Sequence, residues 1–365
     1  MLFRSFASQM KRRLRQGAKL IVVDPRTTEM VKGAHYQADY HLKLKPGTNV
    51  AVISAIAHVI VTEGLVNEAF VAERCEAQSF SDWKTFASRP ENSPEAMSDI
   101  TGVPVADLFL AARSFAQSRD RGSSILWGMG ITQHTQGVSN VQSMVNLALL
   151  TGHVGRPGAG LSPLRGQNNV QGCGDAGVLP DTLPGYQGLS PLILEKFAAR
   201  WGAMPPETPG IRLTRMFDAA IEGRLRMMYM LGENPMLTEP NLAHARRGLE
   251  ALDVLVVQTP FPNETTELAD VVLPATTFAE KDGTFTNSER RVQRVRSAVP
   301  PVGKSRPDWL ITRDLARRVA ALLHGAVDQF AYEHPSEIFA EMTGLVPFLS
   351  GMRSEEHTSE LQSRG

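Results

Sequence analysis

Asp253-Val254-Leu255-Val256-Val257-Gln258 and, a little further on, Asp270-Val271-Val272-Leu273-Pro274 decide the fold. Each is a short, β-branched run with no polar alternation, closed by a polar residue or a proline. A run of that kind reads as a strand buried on both faces. The same unit recurs along the chain. Lys19-Leu-Ile-Val-Val23 runs into Asp24-Pro25-Arg26, Ser123-Ser-Ile-Leu126 into Trp127-Gly128-Met129-Gly130, and Arg226-Met-Met-Tyr-Met230 into Leu231-Gly232-Glu233-Asn234-Pro235. Helical periodicity fills the gaps, over 49–63, 105–116, 138–150, 238–249 and 308–323. Strands alternating with helices predict an α/β fold with largely parallel sheets. Two groups of strands predict two doubly wound halves, with the boundary in the glycine-rich stretch at 165–172. In such sheets ligands sit outside the carboxyl ends of the strands, and each distinctive motif of this chain falls there.

Composition narrows the classes. At 365 residues the chain can hold two domains with separate cores. Its formal net charge of zero gives no basic field for nucleic acid. The basic run Lys11-Arg12-Arg13-Leu14-Arg15 reads as a solvated helix face, because the apolar stretch after it is too short for an export signal. The longest apolar stretch, Val50 to Val61, is interrupted by His58 and too short to span a bilayer, so it reads as a buried helix. The two cysteines, Cys75 and Cys173, match no metal-binding spacing. Cys173 reads as a small buried residue.

The most specific stretch is Leu164-Arg165-Gly166-Gln167-Asn168-Asn169-Val170-Gln171-Gly172, inside a segment with eight glycines between Gly152 and Gly177. Glycine lets a backbone approach a ligand closely. Arg165 adds a fixed cation, and the carboxamides add neutral donors. Asp24 and Arg26 suit a ribose hydroxyl or guanine edge and a phosphate, although Asp-Pro is also a common turn starter. Lys45-Pro46-Gly47-Thr48-Asn49 reads first as a helix cap. The glycines of Trp127-Gly128-Met129-Gly130, running on to Gln133, permit close approach of a flat ring but do not match a nicotinamide fingerprint. The block Glu280-Lys-Asp-Gly283-Thr284-Phe-Thr-Asn287-Ser-Glu-Arg-Arg-Val-Gln293 follows Leu273-Pro274-Ala275-Thr276-Thr277, and it crowds acidic, hydroxyl and amide groups together.

Taken in order, these motifs resemble the large catalytic subunit of molybdenum- or tungsten-dependent formate dehydrogenases. The similarity runs from about residue 10 to about residue 345; the 280–293 block is shared by the whole superfamily. The resemblance implies two Rossmann-like doubly wound domains, residues 6–166 and 167–352, each carrying one half of bis-molybdopterin guanine dinucleotide with Mo or W. By this similarity Asp24, Arg26, Gly47, Asn49, Gly128, Met129, Gln133, Gly166 and Gln167 line the first dinucleotide. Gly232, Glu233, Asn234, Gln258, Thr276, Glu280, Gly283, Thr284 and Asn287 lie near the second. Arg165 matches the substrate arginine, a planar fork able to hold the formate carboxylate bidentately. His134 stays outside the catalytic set.

The resemblance further implies electron-transfer subunits, or a ferredoxin- or NAD-linked diaphorase, as partners, with no nucleic acid, and a cytoplasmic location. An iron–sulfur cluster and a cysteine or selenocysteine at the metal belong to a part that precedes these residues, and no metal ligand is assigned within the chain. Arg353-Ser-Glu-Glu-His-Thr-Ser-Glu-Leu-Gln-Ser363 resembles a translated sequencing adapter, as does Leu2-Phe3-Arg4-Ser5. Residues 1–5 and 353–365 are therefore set apart, and 6–352 read as an internal piece that would not turn over alone. A nitrate reductase-like enzyme and the non-catalytic large subunit of complex I share the fold; the intact Arg165 loop argues against both.

Overall fold

The computed structural model describes residues 2–34, 36–118 and 122–353, so most of the adapter-like tail, 354–365, lies outside the described residues. The chain divides into two compact units, residues 1–166 and 167–365.

The first unit is built around the helix Asn49–Thr62, whose sequence NVAVISAIAHVIVT is apolar on every side. Such a helix is stable only when surrounded. Val52, Ala55, Val59 and Ile60 are each no more than 1% exposed, packed in one core with Leu108 and Ala112 of Val105–Ala116 and Met144 and Leu147 of Gly137–Thr151. The imidazole that interrupts it is satisfied, with His58 Nδ1 2.9 Å from Ala87 O. Two small parallel sheets complete the unit: Ile21–Val23 beside Tyr40–Leu42, and Ser124–Trp127 beside Gly160–Pro163. The helix Leu2–Arg15 carries the basic run, and Arg12, Arg13 and Arg15 are exposed, as a solvated face requires.

The second unit holds a three-stranded parallel sheet, ordered Val271–Pro274, Val254–Thr259, Met227–Leu231. Its central strand is buried from Leu255 to Thr259. Alternation sends Met228, Met230, Leu255 and Val257 to one side, against Phe217 of Leu213–Ile221 and Ala245 and Leu249 of Leu242–Glu250. On the other side Gln258 Nε2 donates to Asp308 Oδ1 at 2.8 Å, at the start of the helix Asp308–Leu322. Helices thus lie on both sides of the central strand, whereas the edge strand Val271–Pro274, expected to be buried on both faces, leaves Val271, Val272 and Pro274 exposed because it has a neighbour on one side alone. After the sheet, Gly283–Thr286 and Val292–Val295 form an antiparallel hairpin.

Three further expectations need correction. The helix expected over 238–249 starts at Leu242, because Pro240 disfavours the helical region for the residue before it, Glu239 standing extended at ψ 138°, and the Asn241 side chain caps His244 N at 3.1 Å. Thr48 stands at the N-cap of Asn49–Thr62 without capping it; its hydroxyl turns back to donate to Lys45 O at 2.7 Å. Cys173 is exposed rather than buried. On the short helix Val170–Asp175 the inward positions go to Gln171 and Asp175, whose side chains bond at 2.9 Å.

Candidate functional site

In the first unit the carboxyl ends of the four strands carry the sequence candidates. Asp24 follows Val23 directly, and its Oδ1 accepts from Arg26 N at 2.7 Å, a local turn that leaves the Arg26 side chain 82% exposed. Parallel pairing aligns Trp127 with Pro163, and Leu164 N donates to Trp127 O at 2.7 Å. Gly128 and Arg165 thus leave adjacent strand ends side by side. Met129 begins the single turn Met129–Thr132, Gln133 ends it, and Gly128, Met129, Gln133 and Gly166 are all exposed. Arg165 itself is half-buried.

Residues far apart in sequence meet here. Gln136 Nε2 donates to Gly47 O at 3.2 Å. Asn49 Nδ2 lies 3.4 Å from His134 Nε2, which also sits 2.9 Å from Gly130 O. The Gly47–Asn49 turn and the 128–136 segment therefore form one surface. Gly47 has φ +87°, a left-handed conformation that disfavours other residues.

In the second unit the sheet again presents its candidates at the strand ends, yet several are consumed by the fold. Gly232 N donates to Gln258 O at 2.8 Å, joining two strand ends. The Gln258 side chain is fully buried and engaged at both ends, accepting from the Tyr229 hydroxyl and donating to Asp308; Lys281 completes that polar set by pairing with Asp308. Burial pushes the Tyr229 hydroxyl above its usual range. Asn234 donates to Glu264 Oε2 and accepts from Thr265 Oγ1, both at 2.7 Å. Glu280 closes a capping box with Thr277 through Oε2 and accepts from Val302 N at 2.9 Å through Oε1. Main-chain and hydroxyl donors from Thr277 hold its carboxyl below the usual range. Asn287 Oδ1 accepts from Glu289 N and Arg291 N within the hairpin turn. These side chains shape the loops they lie in. Glu233 is exposed, and Gly283 and Thr284 border a shallow cleft with Asp282, Arg294 and His334. Gln167 begins this unit rather than ending the first.

The glycines test whether these strand ends leave room for a large group. A Cβ at Gly137 would stand 2.2 Å from Thr132 O, and one at Gly248 2.9 Å from Phe217 Cβ; packing inside the chain explains both. A Cβ at Gly128, Gly166 or Gly283 would meet nothing within 4 Å, and none of the three has a positive φ. Neither packing nor backbone conformation asks for glycine at these three positions, so each leaves open surface, as Gly130, Gly188 and Gly344 also do. Thr276, 2% exposed, adds a buried hydroxyl with no partner among the described residues. Both observations fit a large polar ligand. Among the described residues no three His, Cys, Asp or Glu side chains gather as metal ligands, and no helix is long and apolar enough to cross a membrane.

Sequence reasoning missed Gln136, Asn140 and Asn169. Asn169, at φ 61°, accepts from Thr286 N at 2.9 Å and ties the carboxamide run to the hairpin. Its place in that run was the available signal. The Thr277-x-x-Glu280 spacing likewise announced a capping box.

Comparison with known proteins gives a consistent result. The family profile for molybdopterin oxidoreductases matches residues 4–318. The alpha subunit of F420-dependent formate dehydrogenase 1 from Methanococcus maripaludis is 41% identical over 96% of this chain and 49% of its own length. Formate dehydrogenase H from Escherichia coli is 41% identical over 94% of this chain and 46% of its own. The chain thus spans about half the length of the curated relatives it matches. Acetylene hydratase from Pelobacter acetylenicus superposes with a TM-score of 0.71 at 20% identity, over 96% of this chain and 48% of that one, a likeness of fold alone.

Proposed function

The chain belongs to the molybdopterin oxidoreductase family, and from that premise we propose that it is part of a formate dehydrogenase catalytic subunit. The observation that carries the reading is Arg165, half-buried beside Gly128 at the ends of two paired strands, in a chain about 40% identical to proteins named as formate dehydrogenases. Formate is the smallest carboxylate, and a guanidinium is the side chain that matches a carboxylate with two parallel N–H donors.

The family implies a molybdopterin cofactor with molybdenum or tungsten; the bis-molybdopterin guanine dinucleotide form belongs to the proposal. When bound, that group accepts the two electrons released as formate becomes carbon dioxide and a proton. The chain's own residues bind and orient. Exposed Arg26 offers a phosphate partner, and the open glycines at 128 and 166 let the backbone approach the ligand. In the second unit Glu233, Thr276, Gly283 and Thr284 are the positions left available once Gly232, Gln258, Asn234, Glu280 and Asn287 are spent on the fold. Arg165 holds formate in one orientation, replacing hydration lost on burial with two charge-assisted hydrogen bonds. Electron-transfer subunits, or a ferredoxin- or NAD-linked diaphorase, take the electrons onward, in the cytoplasm.

The test uses the full-length protein. Purified anaerobically, it should contain about one molybdenum or tungsten per chain and reduce a viologen dye with formate. A metal-loaded protein inert toward formate would refute the reading.

A further inference from the structure

We propose that Asn140 is a positioning residue that holds the Gly128–Gln133 turn in the conformation needed to seat the cofactor; the proposal rests on the reading above. Asn140 lies in the helix Gly137–Thr151 and is completely buried. Its Nδ2 donates to Ile131 O at 2.8 Å, across from its own helix to the single turn Met129–Thr132. Its Oδ1 has no partner among the described residues. A buried amide with one oxygen unmet is a poor choice for packing, where an aliphatic side chain of similar size would serve better. What the amide provides and an aliphatic cannot is the donor to Ile131.

The neighbourhood points to the same purpose. A turn of four residues cannot hold itself, since each helix end leaves groups unpaired. Gly137, one turn earlier on the long helix, has no Cβ, and its backbone lies so close to Thr132 O that a methyl would stand 2.2 Å away. Gln136 reaches Gly47 O from the same helix end. The long helix, seated in the core through Met144 and Leu147, thus grips the exposed turn at Ile131 and Thr132 and ties it to the Gly47–Asn49 turn. Asn140 touches neither cofactor nor substrate. It acts through the backbone that presents Gly128, Met129 and Gln133.

The test compares wild type, Asn140→Asp and Asn140→Leu in the full-length protein. Aspartate keeps the shape but sets an acceptor against Ile131 O, and leucine keeps the volume without any polar atom. The readouts are amide hydrogen exchange of residues 129–133 in the cofactor-free protein and metal retained per chain through gel filtration. Both variants should exchange about tenfold faster at 129–133 than wild type while the 49–62 helix stays protected, as loss of one tethering hydrogen bond implies. Both should also lose metal that wild type keeps. If Asn140→Asp does not fold, Asn140→Leu carries the test alone. Unchanged exchange at 129–133 would overturn the tether, and faster exchange with full metal retention would overturn its role in seating the cofactor. Should wild type itself hold no metal, the formate dehydrogenase reading fails while the exchange result still decides the tether.

Discussion

Adding one methyl group at Gly283 should stabilise the protein and impair it at the same time. Gly283 opens the hairpin strand, paired with Val295, and its φ is ordinary for any residue. A Cβ there meets nothing within 4 Å. Alanine therefore brings no clash, and it lowers the conformational entropy of the unfolded chain, a gain of about 0.4–1 kcal/mol. For a unit of this size that raises Tm by roughly 1–4 °C. Gly283 lines the cleft shared with Thr284, Arg294 and His334, beside which the cofactor is proposed to lie. Gly248→Ala is the contrasting case. Its Cβ would stand 2.9 Å from Phe217 Cβ and 3.0 Å from Phe217 Cα, so the helices Leu213–Ile221 and Leu242–Glu250 must separate. Overpacking of that kind costs about 1–3 kcal/mol, a fall in Tm of roughly 2–12 °C. Thermal melts and metal analysis of the two full-length variants read both effects. Gly283→Ala should melt no lower than wild type yet retain less metal. The reasoning is refuted if Gly283→Ala melts lower, or if it keeps its full metal complement.

Three further outcomes follow from the same structure. Thr276→Val removes a buried hydroxyl without a partner among the described residues; the cofactor-free protein should gain about 1 kcal/mol in a denaturant melt while metal retention falls. Leu255→Ala empties a site 1% exposed in the central strand and should cost about 2–5 kcal/mol by the same melt. Glu63 accepts from Arg113 Nε at 2.8 Å and Nη2 at 2.6 Å, which holds its carboxyl below the usual glutamate range. Because the folded pKa is depressed, its contribution is complete above the unfolded pKa of about 4.3 and disappears as pH falls through the folded value. Glu63→Gln should therefore melt below wild type at pH 7, with the gap closing in acid and in high salt.

Much of this fold was legible because buried strands and all-apolar helices leave patterns that no other structure explains. Asn49–Thr62 was readable to within a residue, and Val254–Thr259 as far as Val257, the strand running on through Gln258 and Thr259. Pro240 and the Asn241 cap break the helix expected over 238–249, which the helical periodicity alone does not show. The candidate site was legible as a set of strand ends and no further. Sequence marks Gln258 and Glu280 as polar groups near a ligand, whereas their partners, Tyr229, Asp308, Thr277 and Val302, emerge only from the packing. Asn140 was hidden for the opposite reason. Inside an ordinary helical pattern nothing distinguishes an asparagine that tethers a neighbouring turn from one that faces water.

Steady-state formate oxidation by Arg165→Lys in the full-length enzyme tests the central claim most directly. Lysine keeps the charge but loses the planar fork and one of two charge-assisted hydrogen bonds, each about 1.5–3 kcal/mol, so kcat/KM should fall about 10- to 100-fold. Metal content should match wild type, since the loss falls on substrate and not on cofactor. Unchanged kcat/KM for formate in a metal-loaded Arg165→Lys enzyme would contradict the account.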